Sequence, residues 1–215
     1  MITEKMTVHQ ALSTLKVLDD RIQSQISSTT FITTNKHSNN KISGKPVDDY
    51  KDGMKSDFES IIARINRRAA IRNALSISNA QTSVIIGGKS YTVAEAIEMK
   101  KTGMENLRLL VKQMTLQFAT ATLAVKRANG DELQAKADDY VSGLFSNSDK
   151  AKSDEAIKTR EAYIEMNSLD MIDPLDIKAK IEQLTEQIDV FDAEIDSALS
   201  VSNALTTITV SYDTK

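Results

Sequence analysis

Ten positions between Val93 and Val125 recur at alternating spacings of four and three: Val93, Ile97, Lys100, Met104, Leu107, Val111, Met114, Phe118, Ala121 and Val125. Only Lys100 among them is polar. A repeat averaging 3.5 residues lines one face of an α-helix with a narrow apolar seam, and such a seam is buried by another long helix. Continued to Ala128, this helix would be about 54 Å long at 1.5 Å per residue. A second run behaves the same way through Ile177, Ile181, Leu184, Ile188, Phe191, Ile195, Ala198, Ser202 and Leu205. Asp173 supplies its cap and Pro174 its first position, where a missing N–H costs nothing. Long helices are therefore obligatory, and some of their partners can belong to other subunits.

Shorter patterns fill in the rest. "TVHQ" at 7 to 10 fits a capping box, and the stripe Val8, Leu12, Leu15, Leu18, Ile22 and Ile26 makes the first helix. "SDFE" at 56 to 59 is a second box, opening a helix through Phe58, Ile61, Ile62, Ile65, Ala69 and Leu75; "TVAE" at 92 to 95 is a third. "TTFITT" (29 to 34), "TSVIIGGKSYTV" (82 to 93), "EAYIEMNS" (161 to 168) and "TTITVSY" (206 to 212) are strand candidates. Asn129-Gly130 ends the longest helix, and a short helix is expected around Leu133 to Val141, followed by a Ser/Asp/Lys-rich loop. The expected fold is mainly α with a small β component: long antiparallel helices in a coiled-coil-like bundle, with a small sheet of short strands at one end. We expect one elongated domain over 1–215 with polar insertions at 35–53 and 129–158.

Composition excludes several classes. With no cysteine there is no disulfide framework, thiol nucleophile or cysteine-bound zinc. The balance of 27 basic and 30 acidic residues does not call globally for nucleic acid or membrane. The start lacks the apolar core of a signal peptide, and no apolar run approaches the roughly 18 residues of a membrane helix. We expect a soluble protein of a virion or the cytoplasm.

"SVIIGGKS" (83 to 90) ends like a phosphate-binding loop, but Ser83 stands where the first glycine of G-x-x-x-x-G-K-[ST] belongs. A strand rather than a helix follows Lys89-Ser90. The better fit is a two-residue hairpin turn at Gly87 and Gly88. "DDYKDGMKSDFE" puts Asp48, Asp52, Gly53 and Glu59 at positions 1, 5, 6 and 12 of a calcium loop, yet Tyr50 spoils position 3. His9 and His37 have no motif partners. We expect no catalytic residues, no metal and no cofactor.

Arg64, Arg68 and Arg72, with Arg67 beside them, form a basic stripe on the second helix that could track phosphates. No stacking aromatic is interleaved with it. Residues 55 to 128 hold 12 Lys/Arg against 5 Asp/Glu, and residues 161 to 215 hold 3 against 12. Mutual compensation of these regions, within a bundle or between subunits, competes with phosphate binding as the stripe's purpose.

The runs "FESIIARINRRAAIRNAL" and "GGKSYTVAEAIEMKKTGMENLRLLVKQM" resemble an uncharacterised bacterial and phage family whose members are sometimes labelled septicolysin. The shared pattern is an "LIARIN"-type helix (Ile61 through Asn66 here), a glycine hairpin (Gly87-Gly88) and "T-[LV]-x-EA[LI]" opening a long helix (Thr92 through Ile97). The later acidic helix and Thr-containing tail are also similar, whereas 35–53 and 129–158 depart from the pattern. The resemblance implies a helical hairpin with a small sheet, oligomerisation and no active site. We expect a non-enzymatic structural protein that oligomerises with itself or with other virion proteins, as a bacteriophage capsid, neck or tail component. The alternative is a nucleic-acid or anion-binding module using Arg64, Arg68 and Arg72. A membrane-active toxin is the third possibility, though no spanning segment supports it.

Overall fold

The computed structural model describes residues 1–145 and 153–213. The chain is mainly helical, with short antiparallel strand pairs, and divides into two compact units: Met1–Lys101 with Val190–Lys215, and Thr102–Asp189.

In the first unit, β1 (Ile2–Thr7) leads into α1 (Val8–Ser28). Thr7 caps α1 reciprocally: its hydroxyl accepts from the Gln10 N–H, and the Gln10 side chain accepts from the Thr7 N–H. Val8, Ala11, Leu15, Leu18 and Ile22 are buried along α1. Leu12 and Ile26, expected on that stripe, are instead half exposed; Ala11 takes the inward place. A two-residue hairpin, β2 (Lys41–Ile42) and β3 (Lys45–Pro46), then precedes α2 (Val47–Gln81).

The start of α2 corrects the expected polar loop over 35–53. Pro46 stands at the cap, Asp48 and Asp49 face the positive helix end, and Lys51 and Lys55 pair with Asp48 and Asp52 one turn earlier. The "SDFE" box therefore lies inside a helix already under way. Asp48, Asp52 and Glu59 lie along that helix, so no calcium loop forms there.

β4 (Ser83–Ile86) and β5 (Lys89–Thr92) form the expected glycine hairpin, with Ile86 opposite Lys89 and Gly87 and Gly88 at φ +57° and +71°. Such values suit the tight turn whose twist matches the flanking strands, and glycine adopts them without steric cost. Thr92 and Glu95 close the third capping box at the start of α3 (Val93–Glu98). The long helix then widens into a π-helical turn over Met99–Gly103 before continuing as α4 (Met104–Ala128). Val93, Ala96 and Met104 are buried, while Ile97, expected on the seam, is half exposed.

The second unit holds α4, α5 (Asp131–Leu144), α6 (Asp154–Asn167) and the first half of α7 (Ile177–Leu205). "EAYIEMNS", expected as a strand, is the second half of α6. The Ser153 hydroxyl caps α6, and packing on α5 fixes it: Leu133, Ala137, Val141 and Ala156 are buried, and Tyr140 stacks on Tyr163 at 4.8 Å. Arg160 fastens the pair through Asp138 (2.6 Å) and Gln134 (2.8 Å). The expected Ser/Asp/Lys-rich loop falls largely outside the described residues. Asp173 does serve the start of α7, its carboxylate accepting from the Ile177 N–H, but the helix begins at Ile177, three residues past Pro174.

The chain returns to the first unit, where β6 (Thr207–Tyr212) pairs antiparallel with β1, Ile2 opposite Tyr212 and Thr7 opposite Thr207. Among the described residues the β component is thus three separate strand pairs. "TTFITT" joins none of them. The main core gathers Met6, Val8, Ala11, Leu15, Leu18, Ile22, Ile71, Leu75, Ile208 and Val210, so both ends of the chain close over α1 and α2.

Candidate interaction surfaces

The arginine stripe lies where α2 meets α1 and β1. Arg67 reaches Glu4 with two parallel bonds, Nε to Oε1 at 2.7 Å and Nη2 to Oε2 at 2.8 Å, both side chains about two-thirds buried. Arg68 binds the Asp19 carboxylate, and Arg64 binds the Gln25 side-chain carbonyl. Arg72 is exposed and adds a longer-range attraction to Asp19. The planar guanidinium fork suits bidentate carboxylate pairing. Ile61, Ile71 and Leu75 are the buried residues of α2, and the arginines sit along the margin of that contact. Compensation does occur, chiefly against Glu4 and Asp19 rather than the acidic C-terminal region. Ile2, Glu4 and Met6 share one face of β1, and the polar Glu4 interrupts its apolar pattern, so residues 2–7 gave little local sign of the strand that places Glu4 there.

Electrostatics make these contacts pH-sensitive. The hydrogen bond from Arg68 holds the Asp19 carboxyl below the usual range, and the Thr92 N–H and hydroxyl do the same for Glu95. A folded-state pKa below the unfolded value gives stability that is complete above the unfolded pKa, about 4. It is lost as pH falls through the lower, folded value. The urea midpoint should therefore drop between about pH 5 and pH 3. Combining Asp19→Asn with Glu95→Gln should flatten that drop; an unchanged pH slope in the double variant would refute the assignment.

The glycine hairpin is a docking element. The Gly87 N–H donates to Glu194 Oε2 at 2.6 Å, Tyr91 meets Phe191 edge to face at 6.0 Å, and Val84 and Ile86 are buried. A Cβ on Gly87 would stand 3.1 Å from Val190 Cγ1, whereas one on Gly88 would meet open space. Lys100, the polar member of the long seam, forms an ion pair with Asp196 on α7. Here the acidic helix does neutralise part of the basic region.

Exposed leucines recur along α4 in the second unit. Met104 is the only buried residue among its 25. Its seam positions Leu107, Val111, Met114, Phe118, Ala121 and Val125 are mostly covered. A second row, Leu109, Leu116 and Leu123 at seven-residue spacing, is 65%, 55% and 49% exposed. On α7, Ile177, Ile181 and Leu184 are mostly covered. Among the described residues, no three His, Cys, Asp or Glu side chains converge to hold a metal ion, and no helix is long and apolar enough to cross a membrane. Comparison of the chain with protein-family models, curated proteins and solved structures found no match.

Proposed function

We propose that the protein is a non-enzymatic assembly subunit that associates with copies of itself through α4 and α7. One observation carries this: a 25-residue helix with a single buried residue and a heptad-spaced leucine row open to solvent. Helices of this length owe most of their stability to packing of an apolar face, so α4 invites a partner helix. Charge favours a crossed arrangement. α4 carries four cations against one acid, and α7 carries two cations against six acids. Setting α4 of one copy beside α7 of another interleaves opposite charges, whereas α4 against α4 would juxtapose like ones. The resemblance to the septicolysin-labelled bacterial and phage family supports a virion as the setting, at capsid, neck or tail. A gene position among portal, capsid or tail genes tests that setting.

Replacing Leu109, Leu116 and Leu123 together by glutamine tests the association itself. All three are exposed, so helicity and the urea midpoint should stay near those of the parent chain. The mass by light scattering should fall below that of the parent chain at matched concentration. An unchanged mass distribution would overturn the proposal.

A further inference from the structure

The outer edge of β6 is an unguarded strand edge. The Val8 N–H donates to the Thr206 carbonyl at 2.9 Å, and the register continues unbroken to Ile2 opposite Tyr212. Antiparallel alternation then aims the backbone groups of Ile208, Val210 and Tyr212 at β1, and those of Thr207, Thr209 and Ser211 away from it. The 3.0 Å approach of the Thr3 and Ser211 hydroxyls fits a pair of the second kind. Among the described residues no strand pairs with that outer edge. Natural edges are commonly protected by charge, proline or a bulge, and "TTITVSY" carries neither charge nor proline. The edge opens instead on a groove of about 510 Å³, whose other wall is Ala70, Asn73, Ala74, Ile77, Ser78 and Gln81 of α2. Every residue lining this groove is uncharged, in a chain of which 27% is charged. A charged occupant would lose hydration there with no partner to replace it.

The chain carries a segment of matching chemistry. No residue from Ile22 to Asn35 is charged. Within that stretch "TTFITT" consists entirely of strand-favouring residues, is as long as β6, and forms no strand of its own. Thr29 already has extended backbone angles, φ −84° and ψ 136°, and Ile32 is 87% exposed. The segment does not occupy that groove in its own chain: Phe31 lies beside Met54 and Phe58 of α2, about 18 Å along that helix from Ala70 at the near end of the groove.

The geometry points to head-to-tail strand addition: residues 29–34 of one copy pair with the outer edge of β6 in a second copy. The backbone of Thr207, Thr209 and Ser211 supplies the ladder, and Ile32 rests on the small-residue wall of Ala70 and Ala74. Donor and acceptor are different surfaces, so each contact leaves one of each unused, and the interaction propagates unless rotation closes a ring. This deepens the assembly proposal but uses neither the α4 leucine row nor α7, so the two can fail separately.

The test uses the full chain bearing the three α4 glutamines, which removes helix pairing from the readout. Sedimentation velocity should show a series of masses that lengthens with concentration. Ile32→Lys in the donor segment should return the series to 23.7 kDa, as should Ile77→Arg or Asn73→Arg on the groove wall. All three positions are exposed, so each variant should fold, as circular dichroism would show. An equimolar mixture of Ile32→Lys and Ile77→Arg chains should restore a species of twice that mass, because one intact segment then meets one intact groove. Excess peptide SSTTFITTN should dissolve the series. If the chain bearing the three α4 glutamines is itself a monomer at every concentration, strand addition is overturned while helix pairing stands. A series insensitive to Ile32→Lys and to both wall variants, or a mixture that stays monomeric, would also overturn it.

Discussion

Ile71→Ala is expected to lower the free energy of unfolding by about 2–5 kcal/mol, the range for truncating a fully buried large aliphatic side chain. Ile71 has no exposed surface and lies in the cluster where α1, α2, β1 and β6 meet. Its neighbours there come from both ends of the chain, so their collapse into the cavity would disturb the β1–β6 pair. Much of the lost energy should therefore remain lost rather than relax away. Ile65→Ala, on the same helix but partly exposed, should cost under about 1.5 kcal/mol. Urea denaturation of both variants at matched slope decides the matter. Equal costs at the two positions would contradict the placement of the core.

Gly87→Ala should rank next, at about 2–3 kcal/mol, because two effects coincide. A left-handed conformation costs an L-residue about 1–2 kcal/mol, and the added methyl would press on Val190 Cγ1 at 3.1 Å. Relieving that pressure would pull the Gly87 N–H from Glu194. Gly88→Ala meets only the first effect and should cost about 1 kcal/mol. The difference between the neighbouring glycines measures docking of the hairpin on α7. Indistinguishable costs would mean that the hairpin tip does not press on that helix.

These two positions also mark what the sequence could and could not reveal. Gly87-Gly88 was legible because a two-residue turn with positive φ has a narrow local signature. The Thr7 and Thr92 capping boxes were legible for the same reason, and sustained heptads announced the long helices. Ile71 was not singled out, because the expected α2 stripe ran through Phe58 and Ile65, which are exposed. Which face of a long helix is buried depends on partners distant in sequence, here β1 and β6 from opposite ends of the chain.

The same reason separates the strand expectations. "TTITVSY" and "TTFITT" have similar β-propensity, yet only the first finds a ladder, in residues 2–7. "EAYIEMNS" is a short mixed run that reads equally as strand or helix, and the Ser153 cap with packing on α5 decides for helix. The π turn at Met99–Gly103 left no mark in the four-three spacing, because the extra residue is absorbed by backbone geometry. For the arginine stripe, the pattern gave the positions but not the partners. Glu4 and Asp19 lie on separate elements, and only the folded chain brings them to Arg67 and Arg68.

Self-association through α4 and α7 is the central claim, and the mass of the unmodified chain tests it most directly. Light scattering coupled to size separation, run over a micromolar concentration series, should give at least twice the 23.7 kDa of one chain. A mass of 23.7 kDa at every concentration would contradict it.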